Sequence, residues 1–431
     1  MFNAYRHRRV SRFFLSAVFL SCLSVCGFAS AEPVKKPSFE AALTEARHPL
    51  VLAEDSVSGA GAEVLATAVA ESRFVFVGED HFSHEIPRLA VALCNLMRPD
   101  AYAVEAGPQA AEFVSANLRS PDRVDRLAAR MRAHPNNMAF LDGREENDAA
   151  AQCAKASRNN AFAVWGLDQE FLGAAGVLLD AMVAAKPGPK SRAAIASLQS
   201  LDKAADAKAR KSANPGDALL ISATTSDLQP LGDALAIDGG PEAKRLFREL
   251  AASNTIYRLN TDGSPDSNRV RAELFKEHFL AEYQTLKKSN PAPRVLFKFG
   301  DNHAGKGFSP LHVRDIGNFV AELADGEKAK SLHIMVLGAR GEHGTFGGYA
   351  KPTGKEAFAI VNYPEFEWLK PAVNALLAKA LASEGTTLTL FDLRALRFRG
   401  IDLPSEWKRI VYSYDLFILI PEITAASTVG N

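Results

Sequence analysis

Four segments of the sequence place acidic, imidazole and amide side chains directly after short apolar runs. They are Gly78-Glu79-Asp80-His81-Phe82-Ser83-His84-Glu85, Glu105-Ala106-Gly107, Gly166-Leu167-Asp168-Gln169 and Gly300-Asp301-Asn302-His303-Ala304-Gly305. A histidine next to carboxylates keeps a pKa near neutrality and can act as a general base. These segments are therefore candidate parts of one site for acid–base chemistry.

The apolar runs before these segments predict strands that position them. The predicted strands are residues 74–77, 102–104, 162–165, 295–299, 333–337, 388–391 and 416–420. Helical stretches separate them, which indicates an α/β fold with a mostly parallel sheet flanked by helices; antiparallel pairing of the last two runs at an edge is the alternative. The long stretch between the third and fourth strands predicts a helical insertion or cap over about residues 172–290.

The carboxyl ends of parallel strands share one edge of an open sheet, and such folds bind ligands there. The four segments are therefore expected to meet in one cleft. Glu105 ends an apolar strand, where an unpaired carboxylate is costly to bury, so a functional role is favoured. His81 and His303 follow strands and lie near glycines, and both are also predicted to be functional.

Other candidates have simpler explanations. Glu85 stands at a predicted helix start, where it could interact only with the helix dipole. Structural roles are expected for Asp80, His84, His48, His134, His278, His312, His333 and His343.

Several known kinds of site are excluded. The chain carries 50 Lys+Arg and 50 Asp+Glu, so no excess of positive charge indicates nucleic-acid binding. It has no G-x-S-x-G nucleophile elbow, and Arg88 occupies the second histidine position of an H-E-x-x-H zinc motif. Gly354-Lys355-Glu356 lacks the Ser or Thr of a phosphate-binding loop.

These motifs resemble those of the erythromycin esterase-like family, whose superfamily includes the ChaN haem-binding proteins and the TraB/TIKI proteases. Residues 77–85 resemble its G-E-x-H-x-x-x-E signature, and Glu105 matches the glutamate after its second strand. Residues 166–169 resemble G-x-D-x-Q, and residues 301–305 resemble H-N-x-H with Asp301 at the first histidine position. Arg271 is similar to the arginine of R-x-x-x-M-x-x-N, with Phe275 and His278 in place of Met and Asn. The resemblance spans about residues 60–345.

The resemblance implies a hydrolase that cleaves an ester or lactone, and no cofactor is expected. In this interpretation His81 is the general base, and Arg271 with His303 holds the substrate or the developing oxyanion. The residues implied to orient or tune His81 are Glu79, Glu85 and Glu105; those implied to bind substrate are Asp168, Gln169, Asp301 and Asn302. Because Asp301 replaces a histidine of the family, the resemblance does not specify macrolide-esterase activity or the small-molecule substrate.

Two alternatives use the same residues. Glu79, His81, Glu105 and His303 form a mixed nitrogen and oxygen ligand set for a divalent metal, as in a metal-dependent hydrolase or protease. The histidines could instead bind haem or metal in an exported protein without catalytic activity. A family member that binds a ligand but has lost catalysis is a third interpretation.

Residues 1–31 have the pattern of a cleavable signal peptide, because arginines precede an apolar run that ends at Ala29-Ser30-Ala31. The expected mature chain, residues 32–431, is then one periplasmic or secreted domain without a membrane span, of unspecified oligomeric state. Lipid attachment at Cys26 is the alternative. Cys94 and Cys153 remain after cleavage, either as a disulfide or as two buried thiols.

Overall fold

The computed structural model describes residues 36–377, 386–397 and 400–429. From Pro37 onward the chain forms one compact unit. The predicted signal peptide, including Cys26, lies outside the described residues. Within them, no helix is long and apolar enough to cross a membrane.

A nine-stranded sheet forms the centre of this unit, in the order β2-β1-β10-β11-β7-β3-β6-β4-β5. The strands are β1 Arg47–Leu52, β2 Val57–Ser58, β3 Phe74–Glu79, β4 Ala101–Val104, β5 Ala163–Gly166, β6 Val295–Gly300, β7 Ser331–Gly338, β8 Arg340–Thr345, β9 Gly354–Ala359, β10 Thr386–Asp392 and β11 Leu416–Ile420. The six strands from β11 to β5 are mutually parallel. Strands β2, β1 and β10 form an antiparallel edge, and β8 with β9 is a separate hairpin. The predicted α/β fold is confirmed, including antiparallel pairing between the last two predicted strands.

Helices cover both faces of the sheet. They are α1 Phe39–Glu45, α2 Ala60–Glu71, α3 Glu85–Met97, α4 Pro108–Asn117, α5 Arg123–Ala133, α6 Arg144–Ala156, α7 Ala175–Ala184, α8 Pro189–Ser212, α9 Leu219–Ser222, α10 Thr225–Asp238, α11 Gly240–Thr261, α12 Asp266–Lys287, α13 Asp301–Ala304, α14 Ile316–Gly326, α15 Lys370–Leu377 and α16 Ser405–Ser413. The predicted helical insertion between the third and fourth expected strands is confirmed as α7–α12. Its helices pack around their own apolar cluster, which includes Leu178, Leu198 and Leu246.

The alternation of side chains along the strands determines which residues meet beneath each face. Val75 and Val77 face α2 and α3, whereas Phe74 and Phe76 face α12 and α14. Because Lys298 of β6 lies opposite Val77 in the register, its side chain belongs to the α3 face. That face also receives the carboxylate of Glu79 at the end of β3.

A disulfide joins Cys94 of α3 to Cys153 of α6. Their Cα atoms lie 5.1 Å apart and both side chains are fully buried. Of the two sequence-based alternatives, the structure therefore contains the disulfide.

Candidate active site

The ends of β3, β4, β5 and β6 bring most of the predicted residues to one edge of the sheet. The side chains connected there by hydrogen bonds or close ion pairs are Glu79, His81, Glu105, Asp168, Arg271 and His303. Five of them follow strands, as expected, and Arg271 reaches the edge from α12. The helical insertion therefore contributes directly to the site.

Glu105 is the centre of this network. Its Oε2 accepts a hydrogen bond from the Gly300 backbone N–H at 2.7 Å, and its Oε1 accepts one from Arg271 Nη2 at 2.8 Å. His81 Nε2 and His303 Nε2 lie 3.5 and 3.4 Å from its oxygens. Burial would raise the pKa of Glu105, but His303, His81 and Arg271 lower it to about 2. The carboxylate is thus ionised throughout the neutral range.

Gly300 permits this close approach. A Cβ at position 300 would lie 2.8 Å from His81 Nε2 and 3.3 Å from Glu105 Oε2. Any larger residue would therefore displace the imidazole or the carboxylate.

Arg271 is held by two carboxylates. Its Nε donates to Asp168 Oδ1 at 2.9 Å, and its Nη2 donates to Asp168 Oδ2 as well as to Glu105. Its Nη1 lies 3.3 Å from His303 Nε2. Burial lowers the pKa of the guanidinium, but Asp168 and Glu105 more than offset this, so Arg271 stays charged. Asp168, which was predicted to bind substrate, thus orients the arginine.

His81 lies between two glutamates and an aromatic ring. Its Nδ1 is 2.9 Å from Glu79 Oε1, and its ring stacks on Phe140 with centroids 4.0 Å apart. The side chain is 24% exposed, more than the other acidic and imidazole groups of this network. Burial lowers the pKa of His81, but Glu105 and Glu79 outweigh it, and the net result is a raised pKa.

Lys298 is a member of the site that sequence analysis missed. Its buried Nζ donates to Glu79 Oε1 and to Glu146 Oε1 of α6. Burial raises the pKa of Glu146 to about 7 despite the lysine, and Glu79 adds to that increase. The sequence does contain a signal for this residue, because Lys298 interrupts an apolar strand. A charge buried in such a strand requires a partner of opposite charge.

Asp315 was also missed. Its Oδ2 lies 2.8 Å from His303 Nδ1, and its Oδ1 accepts the Ile316 N–H at the start of α14. A carboxylate at Nδ1 holds that proton and leaves Nε2 directed at Arg271 and Glu105. In the sequence, Asp315 is indistinguishable from an ordinary helix cap.

Glu85 has a different environment from the one implied by the family resemblance. Its two oxygens accept hydrogen bonds from the backbone N–H and the hydroxyl of Thr424, at 3.0 and 2.8 Å. It therefore connects the start of α3 to the C-terminal segment. The neighbouring His84 contacts Glu145 at 3.1 Å and is 42% exposed.

The remaining predicted binding residues lie at the margins of the network. Asn302 is exposed, and the Asp301 carbonyl accepts a hydrogen bond from the Tyr414 hydroxyl. Burial raises the pKa of the Asp301 carboxyl to about 6, and Asp80 adds to this. Gln169 donates its backbone N–H to Asp168, and its buried Oε1 has no hydrogen-bond partner among the described residues.

Two cavities border His81. A cavity of about 10 Å³, enough for roughly one water molecule, is lined by Glu79, His81, Glu105 and Lys298 among others. A much larger cleft of about 450 Å³ also has His81 in its lining. Its walls come from the α5–α6 connection, from the insertion and from the loop between β8 and β9.

The donor atoms fit a metal or haem poorly. Glu79 Oε1 accepts from Lys298, and both oxygens of Glu105 are hydrogen-bonded. Both nitrogens of His303 have protein neighbours, Asp315 on one side and Arg271 on the other. In the described part of the chain, no group of three or more His, Cys, Asp or Glu side chains is arranged to hold a metal ion.

The fold matches solved structures of low sequence identity. A histidine-to-asparagine mutant of erythromycin esterase EreC in its open conformation is 14% identical, with a TM-score of 0.54 over 89% of this chain and 99% of that one. A succinoglycan biosynthesis protein (12% identity, TM-score 0.55) covers 90% of this chain and 97% of its own. A Bacillus cereus protein (13% identity, TM-score 0.55) covers 92% and 100%. No family model and no curated protein matches the sequence. The predicted resemblance is confirmed at the level of the fold: the chain has the erythromycin esterase-like fold.

Proposed function

We propose that this protein hydrolyses an ester or lactone of a small molecule, with His81 as the general base. The observation that carries the proposal is the position of His81. Its Nδ1 is held by Glu79, and the imidazole lines both a water-sized cavity and a substrate-sized cleft. A base that contacts both a space for water and a space for substrate is the arrangement that hydrolysis requires.

The proposed reaction begins with a water molecule beside His81 and Glu105. Because the Glu79 carboxylate holds the proton on Nδ1, His81 Nε2 accepts a proton as the water oxygen bonds to the carbonyl carbon. When the tetrahedral intermediate collapses, the bond from that carbon to the alcohol oxygen breaks, and protonated His81 returns the proton to this oxygen. The products are a carboxylic acid and an alcohol. Nη1 of Arg271, which lies 3.3 Å from His303 Nε2, is the proposed donor to the ester oxygen that becomes negative. Lys298 keeps Glu79 ionised, since it lowers the pKa of that carboxyl against the effect of burial.

In this mechanism Glu85 has no chemical step. Its bonds to Thr424 support a structural role, in contrast to the role that the family motif implied.

The test is the pH dependence of hydrolysis on a panel of 4-nitrophenyl esters and aryl lactones. His81 must be neutral to accept a proton, and its pKa is raised in the folded protein. We therefore expect kcat/KM to increase with pH through an apparent pKa above about 6.5. Glu79→Gln removes a charge that raises this pKa, so the increase should move to lower pH while the maximal rate falls.

His81→Ala should lower kcat/KM by about 10²–10⁴-fold with an almost unchanged melting temperature. The matched control is His84→Ala, because His84 lies three residues away and contacts Glu145 at a partly exposed position. A folded His81→Ala protein with full activity would refute the general-base role of His81. A large loss of activity in His84→Ala alone would mean that His84, rather than His81, is the catalytic histidine.

Export is also part of the proposal. The Cys94–Cys153 disulfide supports it, because disulfides persist mainly in oxidising compartments. Intact mass spectrometry of the protein from its natural host should give a chain that begins at Glu32. A chain that begins at a lipid-modified Cys26 would establish the lipoprotein alternative, and an uncleaved chain would contradict export by this route.

A further inference from the structure

The cleft beside His81 has an aromatic interior. Phe82 and Phe140 line it next to the imidazole, and Phe171 and Phe346 line it further out. The last two rings meet edge to face with centroids 6.3 Å apart, and Phe346 is 47% exposed although it is large and apolar. Rings left open in a cleft of about 450 Å³ favour an apolar ligand of drug-like size.

The same cleft carries an excess of positive charge. Its lining includes Arg132, Arg210 and Lys351, whereas Asp142 is the acid among the lining residues that the structure describes. Arg210 is paired with Asp206 at 2.6 Å. Arg132 and Lys351 are exposed, and neither has a carboxylate within ion-pair distance among the described residues. Two unpaired cations beside an aromatic wall match an anionic group attached to an apolar body.

We propose that the cleft selects amphipathic anions: molecules whose aromatic or alicyclic body packs on Phe82, Phe140, Phe171 and Phe346 and whose carboxylate or sulfonate group lies against Arg132 and Lys351. This inference rests on the proposed function only in taking the cleft as the route by which a substrate reaches His81. It narrows the substrate class to esters or lactones that carry a separate anionic group.

Two fluorescent probes with the same ring skeleton test the inference by binding alone. 1-Anilinonaphthalene-8-sulfonate is anionic, and N-phenyl-1-naphthylamine is its neutral counterpart. We expect one high-affinity site for the anionic probe, with a Kd lower than that of the neutral probe by about tenfold or more at low salt. The difference should shrink as salt is raised to about 0.5 M, since the two cations are exposed.

Variants locate the binding. Arg132→Glu combined with Lys351→Glu should weaken the anionic probe by about tenfold or more and leave the neutral probe within about twofold. Phe171→Ala with Phe346→Ala should weaken both probes, because both lose the same ring contacts. Lys203→Glu with Lys288→Glu is the matched control, since both lysines are exposed and neither lines the cleft.

The outcomes separate this inference from the proposed function. The inference would be overturned by equal affinity for the two probes. It would also be overturned if Arg132→Glu with Lys351→Glu leaves the affinity for the anionic probe unchanged. Both conclusions hold even if His81→Ala abolishes hydrolysis. Conversely, if the protein binds the anionic probe selectively but hydrolyses no ester, the inference that the cleft binds amphipathic anions stands. Only the catalytic proposal is then overturned.

Discussion

The proposed mechanism needs a fixed tautomer of His81, and three buried residues form a chain of contacts that starts at its Nδ1. Glu79 holds Nδ1, Lys298 holds Glu79, and Glu146 shares the lysine from the opposite side. One buried cation thus contacts two carboxylates, and burial together with the nearby Glu79 raises the pKa of Glu146 to about 7 despite the lysine. The arrangement of charges under the imidazole is consequently sensitive to any change at position 298.

Lys298→Met should therefore destabilise the fold. Removing one partner from a buried ion pair leaves an uncompensated charge, so we expect the free energy of unfolding in urea to fall by about 3–5 kcal/mol. The double variant Lys298→Met/Glu146→Gln should recover about half of this loss, because one of the two carboxylates that lose the lysine is then neutral. Lys288→Met on the surface is the control. An unchanged unfolding curve for Lys298→Met would mean that the contacts of Lys298 with Glu79 and Glu146 contribute little to the free energy of unfolding.

Residue types and strand ends were sufficient to predict much of the site. Glu79, His81, Glu105 and His303 were expected at one edge of a parallel sheet, and the structure places them there. Lys298 and Asp315 escaped prediction because their partners lie on other elements. No local pattern indicates that α6 brings Glu146 to Lys298, or that the start of α14 brings Asp315 to His303.

At the scale of elements, the C-terminal segment fixes the loop that carries His81. Phe82 adopts a left-handed backbone conformation with φ of 64°, which is unusual for a bulky residue. Its carbonyl accepts hydrogen bonds from Ala426 and Gly344, and the His84 N–H donates to Thr424. Glu85 completes this contact at the first turn of α3. The sequence could not show this structural role of Glu85. An acidic residue at the start of a helix is compatible both with an interaction with the helix dipole and with a catalytic function.

Thr424→Val tests the structural assignment of Glu85. It removes the hydroxyl that donates to Glu85 while keeping the backbone bond and a similar volume. We expect a loss of about 1–3 kcal/mol in unfolding free energy and a kcat/KM that changes by only a few fold. Glu85→Gln should behave in the same way. If Glu85→Gln abolishes hydrolysis at an unchanged melting temperature, Glu85 is catalytic, as its family motif implied.

The sequence predicted the central strands better than the peripheral ones, for physical reasons. Strands buried on both faces are continuous apolar runs, and β3 and β6 are of this kind. Strand β8, Arg340–Thr345, has one buried residue, Gly344, and contains a second glycine, so no apolar pattern marks it. Strand β1 contains Pro49 and forms part of the antiparallel edge, where alternation is weaker.

At the scale of the whole molecule, the insertion and the sheet edge have separate tasks. The sheet edge holds the acids and imidazoles, whereas the insertion supplies Arg271 and part of the cleft wall, including Arg210 of α8. The similar structures retain the fold at 12–14% identity. A scaffold of this kind allows the cleft to change its ligand without changing the position of His81.

The disulfide should matter for the stability of this whole arrangement. It joins α3, which follows the His81 loop, to α6, which carries Glu146, and it closes a loop with a sequence separation of 59 residues. Replacing both Cys94 and Cys153 by Ala should lower the free energy of unfolding by about 2–4 kcal/mol, because the unfolded chain regains the entropy that the crosslink removes. Thermal and urea unfolding measure this loss, and wild-type protein reduced in denaturant should match the double variant.

Both cysteines are fully buried, so native protein should resist dithiothreitol until it unfolds. Two free thiols in the exported protein, found by non-reducing mass spectrometry, would contradict the pairing and remove its support for export.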